Sequence, residues 1–498
     1  MPATTTTTAA AAHGALRPRR SAHAQRSART HSSSKARSPN RRRSHSSNCW
    51  EVSPSQIRRT LNFAAAASSA NGSAASAESE AEAASSPAQS AEDANSATDE
   101  SPPPPPPPPS ASASSGIVVP LGSEDAVRVA AHVMQQCVEW GTLGSSPSED
   151  EFSAINQVDG RVVAVGDVHG DLAQTLRVLK IAGLIEEYVG GAVEWVGGDA
   201  TLVQMGDVLD RGDFEVALIC LIHSIRKQAR DAGGNVFVLT GNHEALNANG
   251  DFRYVTRGAF VETCAFAELQ KEGKEVEEKK ASLLDTLALM VRAAATGGAG
   301  GPPLDPTTAL RARINAFAPG GILAREMATF HTALVVNDTV FAHGGLLPMH
   351  ASYGIDKINQ ETGRWMRGTR TGDGQAGPPR LAVGGPESVV WTRVYSKERF
   401  ADPFEEARAN ELLDNTLSLL KLGSDGRMVV GHTPQMQGVN NQNLGGKLWK
   451  VDVGMSSGVL DALPACLELA PDGEAQVLTN WNPSTSANRT SVSANSEE

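Results

Sequence analysis

Runs of apolar side chains begin to recur in an ordered way near Ile117, and three of them predict strands. Each run is rich in β-branched or long apolar residues, and the runs span residues 162–166, 201–205 and 236–240. Leu172, Leu176 and Leu179 fall on one face of a predicted helix between the first two runs. A second helical pattern covers residues 214–230. This alternation predicts an α/β domain with parallel strands.

A helical insertion is predicted at residues 257–330. Leu283, Leu287 and Val291 mark one of its apolar faces. Residues 297–303 are rich in glycine and proline and predict a break in the helical pattern. An Asn-Asp turn then joins two apolar runs into a predicted β-hairpin. The hairpin strands and the later predicted strands span residues 333–336, 339–342, 428–430, 448–452, 466–469 and 475–478.

The N-terminal part of the chain has a different composition. Residues 1–50 are rich in Ala, Ser, Thr and Arg and contain no Asp or Glu, which is typical of a transit peptide. The abundance of Ser and Thr favours the chloroplast, with the mitochondrion, a nuclear signal or an unstructured tail of a cytoplasmic protein as alternatives. Residues 51–115 end in eight prolines and predict a disordered linker. A folded domain is expected over residues 116–480, followed by a disordered tail over 481–498.

The bulk composition excludes several classes of protein. The whole chain carries a formal net charge of -12 despite its basic N-terminus, which argues against a nucleic-acid-binding protein. No run approaches the length of a membrane span, so none is predicted. Widely spaced cysteines without a C-x-x-C pair indicate reduced thiols rather than a disulfide framework or a thiolate zinc site. The cysteines are Cys49, Cys137, Cys220, Cys264 and Cys466.

Polar residues that can carry chemistry follow directly after the first three predicted strands. Two later strand patterns also end in a histidine, at His343 and His432. Because ligands bind at the carboxyl ends of strands in open α/β sheets, we expect all five segments to converge. The three motifs read Gly166-Asp167-Val168-His169-Gly170-Asp171, Gly206-Asp207-Val208-Leu209-Asp210-Arg211-Gly212 and Gly241-Asn242-His243-Glu244.

The combined donor set indicates a metal site. It mixes carboxylate and amide oxygen with imidazole nitrogen and contains no thiolate, which suits Mn, Fe or Zn better than Mg or Ca. Two ions that share one carboxylate can clamp the attacking and leaving oxygens of an in-line displacement. Capping or core hydrogen bonding would explain any single motif, whereas the three motifs in this order are specific.

These motifs resemble those of the PPP-type serine/threonine phosphoprotein phosphatases within the metallophosphoesterase superfamily. Residues 335–348 and 429–435 are more narrowly similar to the Shewanella-like protein phosphatases of bacteria, plants and algae. The resemblance covers about residues 120–480. It implies a calcineurin-like α/β fold, with a central β-sandwich flanked by helices and the inserted helices near the mouth of the site. Residues 452–456 replace a Ser-Ala-Pro-Asn-Tyr stretch of the common eukaryotic members, which implies poor sensitivity to toxins that exploit that loop.

The resemblance also implies six ligands for two divalent metal ions. Manganese is the expected metal, with iron and zinc as alternatives. The implied ligands are Asp167 and His169 for the first metal, Asp207 as the bridge between both metals, and Asn242, His343 and His432 for the second metal.

Four further residues receive catalytic roles from the resemblance. His243 is the implied general acid for the leaving alkoxide, and Asp210 is implied to orient and charge its imidazole. Arg211 is implied to clamp the phosphoryl oxygens, and Arg393 is our choice for a second clamp. The alternatives for this second clamp are Arg364, Arg367 and Arg370.

The remaining polar and aromatic residues are expected to be structural. Glu244 is expected to support its loop rather than to touch substrate. Four histidines outside the motifs are interpreted as structural or surface residues, and three tryptophans as core or groove wall. These residues are His132, His223, His331 and His350, and Trp365, Trp391 and Trp449.

The sequence therefore predicts a metal-dependent phosphoprotein phosphatase. A hydroxide that bridges two metals would attack a phosphomonoester, with phosphoserine and phosphothreonine as the expected substrates. A hydrolase of small phosphates, such as dinucleoside polyphosphates, is the alternative enzyme. A catalytically silent binding module is disfavoured because every implied ligand and the general acid are present. The sequence does not show whether phosphoserine and phosphothreonine are preferred over phosphotyrosine. It also leaves open the target protein, the oligomeric state and any regulatory subunit.

Overall fold

A computed structural model describes residues 123–145, 153–271, 276–296, 301–369, 377–479 and 489–491. The predicted transit peptide over residues 1–50 and the predicted linker over 51–115 lie outside the described residues. The predicted tail over 481–498 also lies outside them, except for a short strand at Arg489–Ser491. Within the predicted helical insertion, residues 272–275 and 297–300 are not described.

The strands form two main sheets and one separate hairpin. The strands are β1 Ile155–Asn156, β2 Val162–Val165, β3 Ile185–Glu187, β4 Val193–Trp195, β5 Thr201–Gln204, β6 Asn235–Val238, β7 Ala333–Val336, β8 Thr339–Ala342, β9 Arg427–Val430, β10 Leu448–Lys450, β11 Cys466–Leu469, β12 Ala475–Leu478 and β13 Arg489–Ser491. One sheet has the order β1-β7-β8-β9-β10 and the other has the order β13-β12-β11-β2-β5-β6. Strands β3 and β4 pair with each other.

Helices occupy most of the chain between these strands. They are α1 Ser123–Trp140, α2 Leu172–Ile181, α3 Glu215–Asp231, α4 Asn242–Ala248, α5 Arg257–Leu269, α6 Val276–Ala295, α7 Pro306–Phe317, α8 Ile322–Met327, α9 Pro348–Tyr353, α10 Ile355–Met366, α11 Arg380–Val383 and α12 Pro403–Leu419, with a 3₁₀ turn at Leu444–Gly446. The predicted helical insertion therefore contains α5 to α8. Its expected apolar face is buried at Leu283 and Leu287 and half-buried at Val291.

Both sheets are mixed, so the parallel strands predicted from the strand–helix alternation form only part of their sheet. Strands β2, β5 and β6 are parallel to one another, whereas β11, β12 and β13 extend the same sheet in antiparallel pairs. In the other sheet, β7 and β8 form the predicted antiparallel hairpin, and β8, β9 and β10 are parallel. A two-residue turn can join only antiparallel strands, which is why the hairpin breaks the parallel pattern.

The central strands are buried on both faces. Every residue of β2, β5, β7 and β8 is buried, as expected for strands that other layers cover on both sides. Helix α3 buries most of its length and packs against α1, α2 and β6. The predicted α/β class is confirmed, with two mixed sheets and helices between their strands.

The carboxyl ends of six strands from the two sheets meet at one place. Strands β2, β5 and β6 lead into the three motifs, and β8, β9 and β10 lead into His343, His432 and Asp452. The backbone oxygen of Met205, just beyond β5, accepts a 2.8 Å hydrogen bond from Nδ1 of His343, just beyond β8. The fold thereby assembles one polar site from segments that lie far apart in the sequence.

Four cysteines fall among the described residues, and all of them are free thiols. Cys137, Cys220 and Cys466 are buried and Cys264 is half-buried, as the sequence predicts. Within the described ranges, no helix combines the length and the apolar character that crossing a membrane requires.

Candidate metal centre

Backbone strain is concentrated in the motif loops. Ten non-glycine residues in the described part of the chain have a positive φ, and five of them belong to the predicted site. Residues other than glycine rarely adopt this backbone conformation because Cβ crowds the backbone. The surrounding structure must therefore hold the backbone in this conformation. The five residues are His169, Asp207, Asp210, Arg211 and His432.

Asp207 stands at the centre of a group of imidazoles. Its Oδ2 atom lies 3.3 Å from Nε2 of His343, 3.7 Å from Nε2 of His169 and 3.9 Å from Nε2 of His243. All four side chains are buried. A single carboxylate oxygen surrounded in this way is placed to be shared between two cations.

A second set of donors lies close to His343. The Oδ1 atom of Asn242 lies 3.0 Å from Nε2 of His343, and the ligand atoms of Asp207, His343 and His432 lie within 4.8 Å of one another. The carboxylate of Asp167 accepts hydrogen bonds of 3.1 and 3.3 Å from the backbone N–H of His432. The structure therefore brings together all six residues predicted as metal ligands.

The orientation of the histidines suits metal binding. Nδ1 of His169 donates to the backbone oxygen of Leu209 at 3.0 Å, as Nδ1 of His343 donates to Met205, so both rings present Nε2 to the site. Nε2 of His432 is buried and has no hydrogen-bond partner among the described residues. A buried nitrogen of this kind fits a metal ligand, because unsatisfied polar atoms are otherwise costly.

The protonation equilibria indicate a strongly negative site in which His169 and His432 are neutral. Burial, reinforced by the neighbouring His243, lowers the pKa of His169 to about 3. Burial, together with His343 and Arg393, holds the pKa of His432 well below its usual value. Burial also opposes the protonation of His343, but Asp207 and Asp167 outweigh it and raise the pKa to about 10. Metal ligands must be deprotonated, and such a negative potential favours cations, so these residues fit divalent ions.

Two glycines make the close approach of the loops feasible. A Cβ atom at Gly431 would lie 2.5 Å from Oδ1 of Asp167, and one at Gly241 would overlap the carboxylate of Asp207. A side chain at either position would displace a ligand carboxylate.

His243 and Asp210 form a buried pair beside the metal-ligand residues. Nδ1 of His243 lies 2.6 Å from Oδ2 of Asp210, and the His243 ring contacts that of Tyr254 at a centroid distance of 5.1 Å. Burial opposes protonation of His243, but Asp207 and Asp210 raise its pKa. The Arg211 guanidinium lies 5.2 Å from the Tyr254 ring, and its charge acts on both His169 and His243.

Of the four candidate arginines for the second clamp, Arg393 lies near enough to His432 to affect its protonation. Its charge contributes to the lowered pKa of His432. Arg364 is exposed on α10, and Arg367 donates to the backbone oxygen of Ala328. Arg370 lies outside the described residues.

The residues expected to be structural have structural contacts. Glu244 is fully buried and binds backbone N–H groups of its own and the preceding motif. His223 pairs with Glu326, His331 lies 3.2 Å from the Ser153 backbone oxygen, and His132 is half-buried on α1. Trp365 and Trp449 are buried, whereas Trp391 packs at 5.8 Å from the ring of His432, as a wall of the site.

Sequence reasoning missed several residues that support the site. Asp452 follows β10 and lies beside Asp167, and burial raises its pKa to about 6. Its position after a strand end, like that of the ligands, was the available signal. Asn247 lies four residues after His243 on α4 and therefore on the same helix face. Arg313 and Glu215 also belong to the network behind His243, and no local pattern in the sequence indicates it.

Comparison with known proteins places these motifs in a family context. A family model described as calcineurin-like phosphoesterase matches residues 160–291. Shewanella-like protein phosphatase 2 of Arabidopsis thaliana is 36% identical over 330 residues, which cover 65% of this chain and 78% of that protein. Shewanella-like protein phosphatase 1 of Plasmodium berghei is 36% identical over 97 residues, 20% of this chain and 26% of that protein. A cold-active protein-tyrosine phosphatase of a psychrophilic Shewanella species has a TM-score of 0.45 and 23% identity, covering 67% of this chain and 85% of that chain.

Proposed function

Because the chain belongs to the Shewanella-like protein phosphatase family, we propose that it is a metal-dependent protein phosphatase acting on phosphoserine and phosphothreonine. One observation carries the proposal: six buried donor side chains, from loops that follow strands of both sheets, converge beside the His243–Asp210 pair. A hydrolytic two-metal site needs both parts, a donor set for the ions and a proton donor for the leaving group.

The donor set divides between two ions around Asp207. Asp167 and His169 would hold one ion and Asn242, His343 and His432 the other, with Asp207 shared between them. Bound there, two divalent ions would acidify a water for attack on phosphorus and neutralise charge on the phosphoryl oxygens. Manganese is the proposed metal, since oxygen and imidazole donors without thiolate suit it, with iron and zinc as alternatives.

His243 is the proposed general acid. Its Nδ1–H donates to Asp210, so Nε2 is the nitrogen that faces Asp207 and the reacting group. A proton on Nε2 would pass to the departing alkoxide of the substrate, and the carboxylate of Asp210 would stabilise the imidazolium before that transfer. Alkoxides are poor leaving groups, so this proton transfer matters most for phosphoserine and phosphothreonine.

Two arginines are proposed to bind the phosphoryl group. Arg211 lies near Tyr254 and its charge acts on the pKa of His243, whereas the charge of Arg393 acts on the pKa of His432. The two guanidinium groups therefore lie near different histidines of the site. A planar guanidinium donates two parallel hydrogen bonds to phosphoryl oxygens, which fixes the phosphorus in line for attack.

Phosphoproteins are favoured over small phosphates as substrates. The relative that covers most of the chain is named a protein phosphatase, and this name supports the protein-substrate alternative. The test uses the full-length chain, stripped with a chelator and reloaded with manganese, iron or zinc in turn. Phosphate release is followed from phosphoserine, phosphothreonine and phosphotyrosine peptides and from a dinucleoside polyphosphate.

Asp207→Asn and His243→Ala serve as impaired variants in this test, and exposed Arg364→Ala as the matched active control. We expect metal-dependent release from the phosphoserine and phosphothreonine peptides, abolished in Asp207→Asn and reduced roughly 10²–10⁴-fold in His243→Ala. Faster release from the dinucleoside polyphosphate than from any peptide would instead establish the small-phosphate hydrolase.

We also propose that the chain is imported into chloroplasts, on the composition of residues 1–50 alone. A fusion of residues 1–60 to a fluorescent protein tests this in plant cells. Plastid fluorescence is expected, and fluorescence confined to mitochondria or to the cytosol would overturn the proposal.

A further inference from the structure

A continuous chain of hydrogen bonds connects Arg313 on helix α7 to His243. The Nη2 and Nε groups of Arg313 donate to Oδ1 of Asn247 at 2.7 and 3.2 Å. Nδ2 of Asn247 donates to Oδ1 of Asp210 at 3.0 Å, and Oδ2 of Asp210 accepts from Nδ1 of His243 at 2.6 Å. The inserted helical region is thereby linked to the proposed general acid through hydrogen bonds.

The environment of Arg313 is unusual for an arginine. Its side chain is completely buried, with its guanidinium 4.3 Å from the ring centroid of Phe317 and close to Phe252 and Phe260. Glu215, also completely buried, forms an ion pair with it. A buried ion pair stabilises a protein less than an apolar pair of similar size commonly would, so stability alone explains this arrangement poorly.

The arginine fixes the orientation of the Asn247 amide. Guanidinium groups only donate, so the amide must present its oxygen to Arg313 and its NH₂ group to Asp210. That NH₂ group donates both to Asp210 and to the backbone oxygen of His243, at 3.0 Å each. With Oδ1 of Asp210 held in this way, Oδ2 is the oxygen directed at His243.

Glu215 closes the network from the other side. Its Oε1 atom accepts a 2.6 Å hydrogen bond from the backbone N–H of Asp210, while Oε2 binds Arg313. Asp210 itself has a positive φ, a conformation that requires external support. Arg313 therefore supports both the backbone and the side chain of Asp210 through separate partners.

We propose that Arg313 is a positioning residue for the general acid, acting through Asn247 and Asp210 to hold the His243 imidazole in line with the leaving oxygen. This inference rests on the proposed phosphatase function. It assigns the inserted helices a part in catalysis, since the residue that orients His243 is carried by α7 rather than by a motif loop.

Arg313→Lys and Asn247→Ala test the inference on two substrates that differ in their leaving group. Lysine keeps a charge for Glu215 but lacks the planar fork that orients Asn247. We expect each variant to lower kcat on a phosphoserine peptide about tenfold, part of the roughly 10²–10⁴-fold that a general acid contributes. The kcat on p-nitrophenyl phosphate, whose phenolate departs with little protonation, should fall less than about threefold. Metal content and thermal unfolding are measured for each variant.

Thr263→Val is the matched control, because Thr263 contacts Arg313 at 3.3 Å but does not belong to the chain that leads to His243. It should retain the wild-type ratio of the two rates. Both test substitutions are also introduced into His243→Ala, where a residue that acts through His243 should add little further loss.

The outcomes separate the inference from the function on which it rests. A wild-type protein without metal-dependent activity would overturn the proposed function itself. The positioning role would be overturned if the wild type is active and the variants lose kcat equally on both substrates. It would also be overturned if the fold-loss of kcat in each variant multiplies with that of His243→Ala. If Arg313→Lys does not fold, the Asn247→Ala variant tests the positioning role by itself, because it leaves the Arg313–Glu215 ion pair intact.

Discussion

The Oε2 atom of Glu244 lies 2.9 Å from the backbone nitrogen of Asp207, the carboxylate at the centre of the site. The same oxygen accepts the N–H of Gly241 at 2.7 Å, and Oε1 accepts those of Val208 and Leu209 at 2.9 and 3.2 Å. One buried carboxylate thus fixes the loop that carries Asp207 against the start of helix α4. The placement of Asp207 relative to Asn242 depends on this link.

Glu244→Gln should therefore weaken both the fold and the metal site. An amide has one acceptor oxygen instead of two and turns its NH₂ group towards buried N–H donors, so unfolding free energy should fall by about 2–4 kcal/mol. Denaturant unfolding of the chelator-treated protein and metal content after reloading provide the measurement. The same substitution at exposed Glu268, which forms a salt bridge with exposed Lys271, should change the unfolding free energy by less than about 0.5 kcal/mol. Equal stability of the two variants would contradict the role of Glu244.

Asp210→Asn should reduce catalysis without removing the metals. Asp210 accepts hydrogen bonds through both oxygens, and asparagine can replace only one of them with an acceptor. Either Nδ1 of His243 or Nδ2 of Asn247 would then lose its hydrogen-bond acceptor at position 210. We expect kcat on a phosphoserine peptide to fall about 10²-fold, with two metals still bound. A kcat within about threefold of wild type would rule out a catalytic role for the His243–Asp210 pair.

Arg393→Ala should weaken phosphoryl binding, whereas Arg364→Ala should not. Only Arg393 acts on the pKa of His432, while Arg364 is exposed on α10. Removing a group that stabilises transition-state charge should lower kcat/KM about 10²-fold and weaken competitive inhibition by inorganic phosphate. Steady-state kinetics with phosphate as inhibitor measures both effects. Equal inhibition constants for the two variants would assign the clamp to another residue.

Local patterns explain which parts of the fold could be predicted from the sequence. The β7–β8 hairpin matches its predicted bounds because two apolar runs flank a turn at Asn337, whose positive φ asparagine tolerates. Strand β1 has only two residues and forms because it pairs with β7, more than 170 positions later. So short a segment carries no periodic signal, and only the tertiary fold creates it.

The site was predictable to the extent that motifs encode it. All six predicted ligands converge because each follows a strand end. The supporting residues are different, since Arg313 lies 66 positions from Asn247 and neither residue forms a motif. Arginines on helices are usually exposed, so the sequence predicts a surface position for Arg313. Only its partners in the folded structure show its role.

The histidine at position 350 is a buried base whose titration should contribute to the loss of stability in mild acid. Its Nδ1 atom accepts a 3.0 Å hydrogen bond from the backbone N–H of Leu347, at the start of helix α9. Burial lowers the pKa of His350 to about 4, against an opposing effect of the Glu387 backbone. The imidazole therefore stays neutral in the folded protein across most of the mildly acidic range.

Stability should accordingly fall as the pH drops from about 6.5 to about 4. In this window the unfolded chain takes up a proton at position 350 and the folded chain does not, so protonation favours unfolding. The full effect at pH 4 is about 3 kcal/mol, and it is absent above pH 7. Urea unfolding of the metal-free protein at pH 7.5, 6.0 and 4.5 measures it. His350→Asn keeps an acceptor for Leu347 but cannot titrate, so its stability should depend less on pH than that of wild type. If wild type and His350→Asn lose stability in parallel over this range, other groups must account for the acid sensitivity.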